Sequence, residues 1–385
     1  MHETIRLFFC GAILSFADWR CTADDIDRNG SDVAPEGTLW TDVNALGVEG
    51  RPFTDTEGPF ERLPRHLLAQ LRPRLRDMSK MSTGMAVRFI ADGRQTFVRW
   101  QTSHIQPQHP WTTLAYRAGC DLYRRTPSGN WRYVANLSPS SAPDGEAPMR
   151  CTRAFATVPG AEYLLYLPCR SRLERCLLGG AVRQAPPRTG KPIVHYGTSI
   201  VQGGIVSRPG LACPAIVGRL LDRETVNLGF SDSGRLEIEL ADVLARIDAA
   251  VYIVDCGWNL DSASIAARLA PFLRRLAVLR PGVPIVLPAC CSGDLEDSSC
   301  CEEWMAKTAE TAVIAATAAE LARDGAFPSP VFFLPPEGML PQDGDATFDH
   351  CHPNDYGMGV FARHLAAAVK KAVGMAKADA ADCRK

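Results

Sequence analysis

With 385 residues, 46% of them hydrophobic and 22% charged, the chain is long enough for two domains of ordinary size, each with its own core. A formal net charge of -1 gives no general attraction to nucleic acid or to an acidic membrane surface, so both partner classes are disfavoured.

The chain opens with an apolar run from Leu7 to Ala17 behind Arg6, and Cys21-Thr22-Ala23 places small residues for cleavage before Asp24. Gly11 and Ser15 interrupt the run, and Asp18, Trp19 and Arg20 separate it from the cut. Two readings stay open: a secretory leader over 1–23, or the irregular start of a cytoplasmic protein. No other stretch is long and apolar enough to span a bilayer. The fourteen cysteines lack an even framework, and most sit in apolar segments where a free thiol behaves as a small hydrophobe. The doublets Cys290-Cys291 and Cys300-Cys301 have neither C-x-x-C spacing nor a histidine at finger distance. A disulfide across that loop, in a secreted protein, fits them better than a structural metal.

After an N-terminal segment over 1–36, residues 37–185 read as short alternating runs broken by turn residues. Ala86-Val87-Arg88-Phe89-Ile90, then Asp92-Gly93, then Thr96-Phe97-Val98-Arg99-Trp100 has the signature of a hairpin. Trp131 to Val134 and Tyr163 to Leu167 continue the pattern, which predicts a β-sandwich. The Arg- and Leu-rich stretch 61–80 adds one helix or an irregular excursion.

Pro186-Pro187 beside Gly190 marks a linker over 186–190. Beyond it, over 191–374, the period changes. Short apolar runs at Ile193–Tyr196, Val226–Leu228, Val251–Val254, Pro284–Leu287 and Val331–Leu334 alternate with helical patterns. Leu236, Leu240, Val243, Leu244 and Ile247 share one helix face; Ile265, Leu269, Phe272, Leu273, Leu276 and Leu279 share another. The alternation predicts an α/β domain with a parallel five-stranded sheet covered on both sides, ahead of a tail over 375–385.

In such a sheet the functional groups gather where strands end. Ser199 follows the first strand, Asp232 the second and Asn259 the third, while Asp349 and His352 follow the fifth. A serine hydroxyl is a poor nucleophile until an imidazole can take its proton, and the imidazole works best when a carboxylate fixes its tautomer. Asp349 and His352, three residues apart, supply both from one loop. Each residue also has a plainer reading. Ser199 could cap the following segment, Asn259 could be an ordinary loop or cap residue, and His352 could be a surface histidine. His350-Cys351-His352 suggests a metal without convincingly placed partners, and Asp343, Asp345 and Asp349 mimic a calcium loop without its turn glycine or distal glutamate. No metal is therefore expected. His195, inside the first strand, reads as a packed core residue.

Gly197-Thr198-Ser199-Ile200, Asn227-Leu228-Gly229-Phe230-Ser231, Gly257-Trp258-Asn259 and Asp349-x-x-His352-Pro353-Asn354-Asp355 resemble the successive blocks of the SGNH hydrolases, also called GDSL-type esterases, over roughly residues 190–372. The first half resembles the jelly-roll domain that precedes the catalytic domain in one branch of these enzymes. Gly119-Cys120-Asp121-Leu122-Tyr123 is similar to that branch's GxDLY sequence, and Arg62-Leu63-Pro64 and Leu165-Tyr166-Leu167-Pro168 sit where the branch has comparable text.

The resemblance implies a flavodoxin-like three-layer α/β/α domain and a serine esterase without cofactors. Ser199 is then the nucleophile, His352 the general base and acid, and Asp349 the orienting carboxylate. The oxyanion hole comprises the N–H groups of Ser199 and Asp232 and the side-chain amide of Asn259. The branch resembles deacetylases of acetylated sugars, which implies small acyl groups, a narrow pocket near Trp258, and a carbohydrate or small-molecule ester as substrate. Asp121 and Tyr123 are either structural or belong to a loop that reaches over the crevice.

Asp232 departs from the pattern: the family usually has glycine after the second block's serine, whereas here the glycine is Gly234. An inward-pointing carboxylate would oppose a developing oxyanion, and a glycine-only backbone conformation would strain it. Two alternatives to an esterase stay open: an acyltransferase, which shares the first half-reaction and is favoured by a crevice that excludes water, and a carbohydrate-binding protein whose oxyanion pocket Asp232 has disabled.

Overall fold

The second half is built on five apolar runs that pair as parallel strands. The computed structural model describes residues 31–107, 109–143, 145–146, 148–290, 307–341 and 343–382, with side chains to residue 374. The leader reading, Cys291, Cys300 and Cys301 lie outside the described residues, and Cys290 is a buried free thiol.

The strands are β1 (Trp40–Asp42), β2 (Val48–Glu49), β3 (Ala86–Ala91), β4 (Gln95–Ile105), β5 (Cys120–Arg125), β6 (Trp131–Leu137), β7 (Met149–Ala156), β8 (Ala161–Tyr166), β9 (Ser171–Gly179), β10 (Val182–Gln184), β11 (Ile193–Gly197), β12 (Thr225–Gly229), β13 (Val251–Asp255), β14 (Ile285–Pro288) and β15 (Val331–Leu334). The helices are α1 (Val43–Leu46), α2 (Pro73–Ser79), α3 (Leu114–Ala118), α4 (Ser199–Gln202), α5 (Cys213–Leu221), α6 (Ile238–Ala245), α7 (Ser262–Leu279), α8 (Thr308–Arg323) and α9 (Asp355–Asp382).

β1 to β10 form two antiparallel sheets, one ordered β1-β9-β4-β7 and the other β10-β3-β8-β5-β6 with β2 beside β3. Their inner faces share a core that includes Phe89, Trp100, Leu122, Phe155 and Leu178, which makes this half a β-sandwich of jelly-roll type. The hairpin expected at Asp92-Gly93 does not form: β3 pairs with β8 and β10, and β4 pairs with β7 and β9. Neither Asp92 nor Gly93 has the positive φ that a tight type I′ hairpin needs, so the turn hands the chain from one sheet to the other. β3 is also buried on both faces. Its outer neighbours Tyr123, Leu164 and Tyr166 pack with Ala212 and Ala215 at the start of α5, so this sheet is where the sandwich meets the second domain. The stretch 61–80 supplies a single turn of 3-10 helix at Arg65–Leu67 and α2.

In the second domain the strand order is β12-β11-β13-β14-β15, all parallel, which is the flavodoxin-like order. The runs are continuously apolar because β11, β13 and β14 are buried on both faces. α5 packs with α9, whereas α6, α7 and α8 pack in succession, giving the α/β/α layers. α9 buries Met358, Phe361, Ala362, Leu365, Val369 and Ala372, a 3.6-residue stripe. The site lies outside the carboxyl ends of β11, β12 and β13, where the strand order reverses. No helix among the described residues is long and apolar enough to cross a membrane.

Candidate active site

Gly197 ends β11, and the chain turns directly into α4. The cap is Thr198, whose hydroxyl accepts the Ile200 N–H at 3.3 Å. The capping role weighed for Ser199 is thus taken by its neighbour, and Ser199 Oγ lies 2.7 Å from His352 Nε2. His352 Nδ1 lies 2.8 Å from Asp349 Oδ2. Asp349 Oδ1 accepts the main-chain N–H groups of His352 (2.7 Å) and Cys351 (3.1 Å), so one short loop holds both side chains. Burial pushes the Asp349 carboxyl up, but hydrogen bonds from the His352 ring and from the two N–H groups outweigh it and hold it down at about 2. Burial likewise favours the neutral His352 ring. The neighbouring Asp349 and Cys351 side chains favour the protonated ring, and the net shift is upward.

Asp232 stands at φ 56°, the left-handed conformation for which the family uses glycine. Its side chain is 73% exposed and turns away to meet Arg74 of α2 at 2.9 Å. Gly234 also stands at positive φ, 72°, and a Cβ there would come within 2.1 Å of the Gly197 carbonyl oxygen at the end of β11. The N–H groups of Ser199 and Asp232 have no acceptor among the described residues. The Asn259 amide donates one N–H to the Ser233 carbonyl, and no other acceptor for that nitrogen occurs among the described residues.

Residues outside the predicted site brace this arrangement. Arg62 is fully buried and donates to the carbonyls of Met78, Met81, Asn227 and Gly229, with its guanidinium 4.5 Å from the centre of the Phe230 ring. It thereby holds the end of β12, from which the Asp232 loop departs. Asp121 and Tyr123 do not reach over the crevice. Asp121 accepts from Arg208 and from the Gly210 N–H, each at 2.8 Å, and the Tyr123 hydroxyl accepts from Arg208 at 2.8 Å. Beside them, the Ser207 N–H donates to Asp355 at 2.7 Å, just past His352. Asp355 was legible only as part of a motif: Asn354 caps α9 by accepting the Tyr356 and Gly357 N–H groups, whereas the Asp355 carboxylate is given over to Ser207.

The remaining candidates have other surroundings. His195 is buried, with Nε2 3.6 Å from Asp255, as expected of a core residue. Trp258 is buried within the α/β core cluster. Asp343 accepts the Asp345 N–H and the Tyr356 hydroxyl, a turn network. Asp349, Cys351 and His352 bring three ligand-type atoms within 4.8 Å of one another, a closer grouping than the sequence suggested, although Asp349 and His352 already engage each other.

Residues 190–370 match the model of the GDSL-like lipase/acylhydrolase family, and residues 38–181 match that of the GxDLY N-terminus of SGNH-hydrolase-type esterases. Among solved structures, a protein from Bacteroides ovatus described as a GDSL-like lipase is 26% identical, with a TM-score of 0.76 over 88% of this chain and 98% of that one. The salicylyl-acyltransferase SsfX3 from a tetracycline biosynthetic pathway, 17% identical with a TM-score of 0.68 over 87% of this chain and 98% of that one, shares the fold. No curated protein matches the chain. By both family models and the shared architecture, the chain belongs to the SGNH, or GDSL-type, hydrolases with a GxDLY N-terminal domain and is a carboxylic ester hydrolase.

Proposed function

We propose that the protein is a serine esterase that removes small acyl groups, acetyl above all, from carbohydrate esters through an acyl-enzyme intermediate. The observation that carries this reading is the hydrogen-bonded sequence Ser199 Oγ, His352 Nε2, His352 Nδ1, Asp349 Oδ2, at 2.7 Å and 2.8 Å. His352 takes the Ser199 proton as the oxygen attacks the ester carbonyl, and the resulting imidazolium is stabilised by Asp349. The negative charge on the carbonyl oxygen is met by the N–H groups of Ser199 and Asp232 and by the free N–H of Asn259. His352 then returns the proton to the departing alcohol oxygen, and water, activated by the same ring, releases the acid.

Two features favour this reading over its alternatives. The Asp232 carboxylate is exposed and paired with Arg74, which supports a working site over a mere binder. The His352 and Asp349 side chains keep part of their surface exposed, so water has access, which favours hydrolysis over transfer to another alcohol. Turnover of p-nitrophenyl acetate by the wild type and by Ser199→Ala tests the proposal. A Ser199-dependent rate supports it; wild-type turnover no faster than that of Ser199→Ala refutes it.

A further inference from the structure

The sandwich sends a second element to the site, through residues 109–113. His109 and Trp111 stack with ring centres 5.3 Å apart and planes at 14°, and Trp111 lies 6.0 Å from Phe348. Phe348 directly precedes Asp349. Trp111 and Phe348 nevertheless remain 42% and 60% exposed. Leaving large rings in water forfeits burial energy, and an exposed aromatic cluster beside a reaction centre marks a surface that something covers.

Both halves of this cluster are fixed relative to His352. On one side, the Thr112 hydroxyl accepts the His109 N–H at 3.1 Å, and the Thr113 hydroxyl donates to the Ser207 carbonyl, whose residue also holds Asp355. On the other, the Phe348 N–H donates to the His352 carbonyl at 3.1 Å, and Thr347 bridges to Pro353. The rings are therefore held at a set position beside the base.

The same sandwich segment, just before His109, walls a cavity of about 250 Å³ lined by charged and polar groups, among them Arg74, Asp77, Lys80, His104, Glu146 and Arg172. Gln106 and Pro107 line it, so along the chain it lies beside His109, and Arg74, which also lines it, reaches out to the exposed Asp232 carboxylate. A long acyl chain would need an apolar channel at that place. A flat ring surface followed by a hydrogen-bonding cavity suits a molecule with one apolar face and a hydroxyl-rich edge, and a pyranose is such a molecule: its C–H face packs on an aromatic ring while its hydroxyls stay paired or hydrated.

We infer that His109, Trp111 and Phe348 form a stacking platform for a sugar ring of the alcohol moiety, with the adjoining cavity receiving its hydroxyl groups. Trp111, on the sandwich, is then a specificity-determining residue for a reaction carried out by the other domain. This inference rests on the esterase reading of Ser199, and its test keeps the two apart.

Wild type, Trp111→Ala and Trp111→Tyr are compared on ethyl acetate, p-nitrophenyl acetate and acetylated cellobiose. Trp111→Ala should raise KM for acetylated cellobiose about tenfold or more while changing kcat/KM for ethyl acetate less than about twofold, and Trp111→Tyr should restore most of the loss. Equal losses on all three esters, or a loss confined to p-nitrophenyl acetate, overturn the inference, the latter because the rings would then serve an aromatic alcohol. In parallel, calorimetric titration of Ser199→Ala with acetylated cellobiose should give binding that the added Trp111→Ala change abolishes. Binding that survives Trp111→Ala overturns the platform whatever the enzyme does. Absent Ser199-dependent turnover with Trp111-dependent binding instead overturns the esterase reading alone.

Discussion

The Arg74 guanidinium of the sandwich domain lies 2.9 Å from the Asp232 carboxylate in the loop after β12. This pair places the anionic group at the surface, while the Asp232 main-chain N–H has no acceptor among the described residues. Exposed ion pairs contribute little to stability, about 0–1 kcal/mol, so the pair matters chiefly for where the carboxylate points. Asp232→Gly should therefore change kcat for p-nitrophenyl acetate by less than about threefold, because the charge it removes is already directed away. A large gain would mean that the carboxylate turns inward during turnover.

The pH dependence follows from His352. Only the neutral ring can accept the Ser199 proton, and its neighbours raise its pKa above the ordinary imidazole value. The ascending limb of kcat/KM should consequently lie at higher pH than the ordinary value of about 6.5. Cys351 is one of the groups responsible for the rise. Cys351→Ala should move the limb to lower pH, as read from initial rates between pH 5 and 10. A profile flat across that range is incompatible with an imidazole base.

Much of this was legible in the residues themselves, for identifiable reasons. Parallel strands buried on both faces must be apolar throughout, so β11 to β15 stand out and begin or end within a residue of their expected limits. Ser199, Asp349 and His352 stand out because each follows a strand and their chemistries complement one another. The Asp92-Gly93 turn was legible as a turn, but which strands pair depends on the sheets that β3 and β4 join, and no local pattern carries that. Arg62 shows the limit most plainly. A buried cation whose partners are four main-chain carbonyls leaves no mark in charge pairing or periodicity, since carbonyls are present at every residue.

That same Arg62 makes a stability prediction. Replacing it by Ala strips the Met78, Met81, Asn227 and Gly229 carbonyls of a donor inside the interface between the domains. Each unsatisfied buried acceptor costs about 1–3 kcal/mol, and with partial relaxation the loss should total at least about 3 kcal/mol. Arg62→Lys should recover only part of it, because an ammonium cannot present the guanidinium's planar set of donors. Urea unfolding of the three proteins measures this; a loss below about 1 kcal/mol would show that water replaces the side chain.

Asp355 couples the loop after the nucleophile to the segment that carries His352. Its carboxylate accepts from the Ser207 N–H at 2.7 Å and from the Ser207 hydroxyl. Asp355→Ala should let the His352 loop shift and lower kcat for p-nitrophenyl acetate about tenfold or more, with KM changed far less, since small misplacements of a catalytic group are costly. Asp355→Asn keeps an acceptor for Ser207 and should retain more activity than Asp355→Ala. If both variants raise KM while leaving kcat intact, the residue shapes binding and does not position the base.

Asn259 separates a three-donor oxyanion hole from a two-donor one. One N–H of its amide is committed to the Ser233 carbonyl, which fixes the group, and the other has no acceptor among the described residues. Loss of a single oxyanion donor lowers kcat about 100- to 1,000-fold, because a donor already in place stabilises the charge without reorganisation. Asn259→Ala should fall in that range, measured where His352 is neutral so that protonation does not contribute. Asn259→Asp should be worse still, since it replaces the donor by a like charge facing the oxyanion. If Asn259→Ala costs less than about threefold, the main-chain groups of Ser199 and Asp232 hold the oxyanion by themselves, and Asn259 serves only to brace the loop at Ser233.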